Sequence, residues 1–375
     1  MKRLGDYIRP VDVRNRDLKV TRLVGLTIDK AFIPSVANTI GTDLSNYKVI
    51  SENQFACSLM QVSRDGKMPI AMFKGEPCIM SPAYPMFEVS KTNELLPEYL
   101  MMWFSRSEFD REASFYAVGG VRGSLEWNDF CDMQIPVPAI EKQREIVAEY
   151  NTLATRIETN KKLIATLEQT AQTLYRHTFN NIDPNNLPQG WRMGTLGEII
   201  DVNPKLSLKK DEECSFVEMD SLPVEGYGIS EIAKRDFSGG TKFQNGDVLF
   251  ARITPCMENG KVGVVDGLND GEVGAGSTEF IVLRGKSISL MGLLATIVRN
   301  EEFRTYAKAH QTGSDGRQRV EASCISAYEH PIPSEKQLAE IEKIFSRIIK
   351  VCLSKSKENQ TLTQMQTLLL SKMGA

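Results

Sequence analysis

The side chains best suited to recognition chemistry fall in two stretches of the chain. In the later one, Arg252, Thr254, Asn259, Lys261, Ser277, Arg317, Gln318 and Arg319 supply guanidinium, amide, ammonium and hydroxyl groups. Arginine and the carboxamides can present two hydrogen bonds at once, and the hydroxyls can donate or accept. The earlier stretch offers Gln61, Arg64, Lys67, Tyr84 and, from a glycine-rich loop, Arg122. Each of these residues also has a plain structural role open to it, as a turn-stabilising or solvent-facing polar group. Nothing in either stretch pairs a nucleophile with a base.

Enzymatic motifs are missing elsewhere too. Gly285-Lys286-Ser287 lacks the earlier glycine that a phosphate-binding GxxxxGK[ST] loop requires. Asn203-Pro204-Lys205 stops short of an amino-methyltransferase Asn-Pro-Pro-Tyr element, and no GxSxG elbow occurs. Glu258 and Asp266 stand in no recognisable metal-binding spacing. His177, His310 and His330 lie far apart, and the seven cysteines include no CxxC pair, so reduced thiols are expected rather than a zinc site or disulfides. No catalytic residue, metal or cofactor is expected.

The elements that must position the recognition residues occur twice. Glu52-Asn53-Gln54-Phe55 aligns with Gly246-Asp247-Val248-Leu249, and the same offset of 194 carries Gly66-Lys67 onto Gly260-Lys261 and Met86-Phe87 onto Phe280-Ile281. It also carries Ser107-Glu108-Phe109 onto Glu301-Glu302-Phe303 and Glu141-Lys142-Gln143 onto Glu335-Lys336-Gln337. Each copy begins with short β-rich segments broken by Gly, Pro, Asn and Asp, then a helical patch and a glycine-rich loop. A proline step closes it, Ile135-Pro136-Val137-Pro138 in one copy and His330-Pro331-Ile332-Pro333 in the other.

Beyond each step the period changes to that of a heptad seam. Ile146, Tyr150, Leu153, Ile157, Asn160, Ile164, Leu167, Ala171 and Leu174 alternate spacings of four and three, and a weaker seam runs from Leu338 to Leu369. Neither stripe can be buried alone, so the two long helices should pack antiparallel. Asn160 and Asn359 sit mid-seam, either as a buried pair fixing register or facing solvent.

Composition sets further limits. Hydrophobic residues make up 41% and charged residues 25% of 375, ordinary for a globular chain. No apolar run approaches the roughly 18 residues of a membrane span, and no apolar stretch follows Lys2-Arg3, so a cytoplasmic location is expected. The net charge is −3, with the acidic excess in the second globular copy. A nucleic-acid ligand would therefore have to be met through local basic clusters, with partners neutralising much of its phosphate.

The segment Gly246-Asp247-Val248-Leu249-Phe250-Ala251-Arg252-Ile253-Thr254-Pro255-Cys256-Met257-Glu258-Asn259-Gly260-Lys261 resembles the signature of a target recognition domain in Type I restriction-modification specificity subunits, as does Gly276-Ser277-Thr278-Glu279-Phe280-Ile281-Val282-Leu283. The proline steps followed by Glu-Lys-Gln and a long helix are similar to that family's spacer regions, and the resemblance covers essentially the whole chain. It implies an α+β protein with target recognition domains at 1–140 and 187–333, mixed or antiparallel β with short helices. Two long antiparallel coiled-coil helices, at 141–180 and 334–375, would join them with pseudo-two-fold symmetry. The implied role is non-catalytic: each domain reads half of a bipartite double-stranded DNA target in the major groove, while the helices set the spacer and dock two methyltransferase subunits, with restriction subunits as further partners. The residues named at the outset would then be DNA-binding, through arginine to guanine and carboxamide to adenine. Copy one departs from the pattern, since Ser58 and Met60 replace Arg252 and Thr254. The competing architecture-level reading is a coiled-coil scaffold whose two modules bind protein and read no DNA.

Overall fold

The computed structural model describes residues 1–35, 37, 41–60, 62–119, 123–314 and 316–374. They form an α+β chain that divides into two compact units, Met1–Thr155 with Thr363–Ala375, and Arg156–Leu362.

Both units are built on one frame. In the first, a four-stranded antiparallel sheet has the order Ile8–Pro10, Met86–Val89, Phe55–Cys57, Ile70–Met72. The order in the second is Ile200–Val202, Phe280–Gly285, Val248–Ala251, Val262–Val264. The two central strands of each sheet are segments that the sequence offset superposes. A short ladder ties the start of each copy to the strand before its long helix, Lys2–Arg3 with Gln134–Ile135 and Arg192–Thr195 with Glu329–Ile332. Helices follow in matching order, Pro97–Phe104 and Ser107–Tyr116 in one unit, Met291–Ile297 and Glu301–Ala309 in the other.

The sheet is a middle layer, which explains why its strands are apolar without alternation. Val248 and Phe250 point with Ile281 and Leu283 into a core shared with the helices, whereas Leu249 and Ala251 point with Phe280 and Val282 toward a second sheet. In the second unit that sheet is continuous, Ala233–Asp236, Glu213–Val217, Gly274–Gly276, Thr241–Phe243. In the first it is split into two hairpin-like pairs, Val24–Leu26 with Phe32–Pro34 and Lys48–Ile50 with Cys78–Met80, connected by a lone parallel bridge between Leu23 and Ile79.

The long helices, Ile140–Tyr175 and Glu335–Lys372, each contribute to both units. Within the second unit they run antiparallel: Asn160 donates to Asn359 at 2.9 Å, and the core joins Ile164, Ala171 and Tyr175 with Phe345, Ile349 and Cys352. Asn160 is buried, so the mid-seam asparagines are a buried pair. Arg156 and Lys355 flank them on Glu358, at 2.5 and 2.6 Å, and hold its carboxyl down at about 2. The weak centre of the second seam is thus a polar knot.

Each long helix also caps a helix of its unit, with a different residue in each copy. The buried Gln143 accepts from the Leu96 N–H at 2.9 Å, at the start of Pro97–Phe104, and donates to Glu94 and Pro138 carbonyls. In the second unit Glu342 accepts from the N–H groups of Gly292 and Leu293 at 2.9 and 2.8 Å. Burial pushes its carboxyl up, while the Ser346 hydroxyl and those two N–H groups pull the other way. Gly292 is required here because its helix lies against the backbone of Phe345 and Ser346.

Candidate nucleic-acid interface

The second unit gathers most of its sequence-derived residues at one rim of the middle sheet. Strand Val248–Ala251 runs out into a tight loop that returns at Val262, and this loop is zipped to the hairpin Gln311–Thr312 with Arg319–Val320. Thr254 N–H donates to the Gln318 carbonyl at 3.0 Å, Val320 N–H donates to the Arg252 carbonyl at 2.9 Å, and Ile253 bridges Arg319. The Gln311 amide donates to Thr254 Oγ1 at 3.0 Å. Arg252, Thr254, Gln318 and Arg319 therefore stand together, with Arg317 exposed at the hairpin tip.

Carboxylates hold the two inner arginines. Arg319 meets Glu279 with Nε at 2.9 and 3.0 Å and a terminal nitrogen at 2.7 Å, and this guanidinium, with Arg252 adding to it, keeps the Glu279 carboxyl below its usual range. Arg252 pairs with Glu321 at 2.9 Å, while its buried Nε has no hydrogen-bond partner among the described residues. Both guanidiniums are oriented by these pairs and keep N–H donors to spare. Arg317 forms no ion pair among the described residues.

Three predicted residues stand apart from that cluster or serve it indirectly. Ser277 Oγ accepts from the Glu279 N–H at 3.2 Å, and so fixes the corner that presents Glu279. Lys261 is mostly buried and donates to Asp220 at 2.9 Å and to the Met219 carbonyl at 3.2 Å. Asn259 is exposed on the loop's return turn, where its own N–H donates to the Pro255 carbonyl.

In the first unit the same residues are dispersed. Arg64 is clasped by its neighbour Asp65 at 2.6 and 3.0 Å, and Lys67 lies 3.5 Å from Asp29. The Tyr84 ring packs on the small core of Val24, Ile50 and Met86, and its carbonyl accepts from Lys48. Gln61 and Arg122 lie outside the described residues.

Sequence reasoning missed Gln311 and the acidic residues Glu279 and Glu321 as partners. Glu279 sits within the quoted signature segment, but its pairing with a residue 40 positions away has no local signal.

No family model matches the chain. It is 34% identical over 254 residues, 65% of its length, to the Type I restriction enzyme EcoEI specificity subunit of Escherichia coli. To the EcoAI specificity subunit, also of Escherichia coli, it is 33% identical over 189 residues, 48% of its length. The matched chain spans 39% and 31% of those two proteins' lengths. Among solved structures, the crystal structure of a Type-I restriction-modification system S subunit from M. genitalium shares the fold, with a TM-score of 0.56 at 14% identity over 99% of this chain and 95% of that one. The doubled frame with its two long helices is thus similar in fold to that S subunit. Its sequence relatives are specificity subunits of Type I restriction enzymes, matched over part of their length. No helix among the described residues is long and apolar enough to cross a membrane.

Proposed function

We propose that the chain is the non-catalytic DNA-specificity subunit of a Type I restriction-modification assembly in the cytoplasm. Each target recognition domain, 1–140 and 187–333, reads one half of a bipartite double-stranded DNA target in the major groove. The helices at 141–180 and 334–375 set the spacer and dock two methyltransferase subunits, and restriction subunits join that complex. The observation that carries this reading is one frame built twice in a single chain with unlike rims. A symmetric dimer can read only a palindrome, whereas two fused and diverged copies can read two different half-sites. Arg252, Thr254, Asn259, Lys261, Ser277, Arg317, Gln318 and Arg319 serve one half; Gln61, Arg64, Lys67, Tyr84 and Arg122 serve the other. The test is to co-express the chain with its neighbouring methyltransferase subunit and map methylated positions by single-molecule sequencing. A motif of two unlike halves around a fixed gap is expected. Capture of partner proteins with no sequence-selective methylation would instead favour the protein scaffold.

A further inference from the structure

The first unit's rim carries large apolar side chains, two of them at positions where the offset puts a threonine in the second unit. Phe115 and Val118 are each 75% exposed and Met60 is 58% exposed. The backbone beside them is fixed: Leu125 N–H donates to the Leu59 carbonyl at 2.9 Å, and Ser114 Oγ donates to the Val62 carbonyl at 3.4 Å. The second bond holds the segment after strand Phe55–Cys57 against the end of helix Ser107–Tyr116, the region where Met60, Phe115 and Val118 are exposed. By the offset of 194, Met60 falls on Thr254 and Val118 on Thr312, beside the Gln311 that holds Thr254. The strand order is the same, and at these two positions an apolar side chain stands where the second unit has a threonine.

Apolar groups held out in water on a fixed rim mark a binding surface. In the major groove their partner is the thymine 5-methyl group, the one apolar feature that a base edge presents there. We propose that Phe115, Val118 and Met60 are specificity-determining residues that read thymine methyls in the half-site of the first unit. This rests on the DNA-reading function above. It adds apolar contact to the polar residues already assigned to that half-site.

The test uses the assembled methyltransferase complex and a duplex carrying its mapped target. Replacing each thymine of the first unit's half-site by deoxyuridine removes a methyl group alone, and one such change should weaken binding roughly fourfold, the equivalent of one buried methyl. In a Phe115→Ala/Val118→Ala complex the same change should have no effect, and the half-site should become degenerate at that position. A wild-type complex indifferent to every deoxyuridine, or a half-site without thymine, would overturn the proposal. So would a variant that keeps full selectivity, or one that reads DNA normally but loses a protein subunit, which would make the patch a protein interface. If the wild-type complex methylates without sequence selectivity, the DNA-reading function itself fails, a distinct result.

Discussion

At the rim of the second unit, Arg252 and Arg319 are each held by a carboxylate and their loop is zipped to the neighbouring hairpin, whereas the matching rim of the first unit exposes Met60, Phe115 and Val118. Beneath both rims the middle sheets have the same strand order. The frame is kept because its strands are buried on both faces, so a change there opens a cavity or buries a polar group. The rim is free to diverge because its side chains end in solvent. The second difference lies beneath it: the outer sheet is continuous in the second unit and split in the first.

Acid should separate the two units most strongly. His330 is buried in the second unit with Nε2 3.0 Å from the Tyr175 hydroxyl, and burial holds its imidazole down at about 4 from 6.5. The offset places Pro136 at the matching site, so the first unit has no counterpart. The unfolded chain takes up this proton first, so the contribution is fully present above pH 6.5 and is lost as pH falls toward 4, on the order of 3 kcal/mol. Hydrogen exchange across that window should rise in Glu329–Ile332 and stay level in Gln134–Ile135, and a His330→Phe chain should show a flatter response. Equal rises in both strands would contradict the assignment.

Arg319→Ala comes next, because it removes the guanidinium hydrogen-bonded to the partly buried Glu279. A loss of stability confined to the second unit is expected, read by urea unfolding, together with a degenerate second half-site. Phe115→Ser removes a side chain already in water, so its stability change should stay within about 0.5 kcal/mol. Arg252→Ala should cost roughly 1 to 3 kcal/mol of discrimination at one base pair, and an unchanged methylation motif would reject that contact. Arg317→Ala should be the mildest, lowering the salt dependence of binding by about one phosphate's worth without altering the motif; a motif change would make Arg317 a base reader instead.

Much of this frame was legible before any coordinates. Internal similarity placed Phe55 on Leu249 and Met86 on Phe280, and those residues occupy matching strands. The heptads marked both long helices, because a buried stripe must repeat at helical period. What stayed hidden depends on closure between distant segments. Gln143 and Glu342 cap equivalent helices from non-equivalent positions, so the alignment that finds the frame misses the shared job. The clasp of Arg319 by Glu279 and the packing of the Tyr84 ring are equally invisible to spacing. The recognition residues within the signature segments are polar, and Phe115 and Val118 lie outside those segments.

The most direct measurement is the methylation motif written by two variant complexes side by side, one carrying Arg252→Ala with Arg319→Ala and the other Phe115→Ser with Val118→Ser. Each is predicted to blur one half of the target, a different half in each case, and to leave the opposite half and the gap unchanged. Variants that blur the same half, both halves or neither would show that the two units do not read separately.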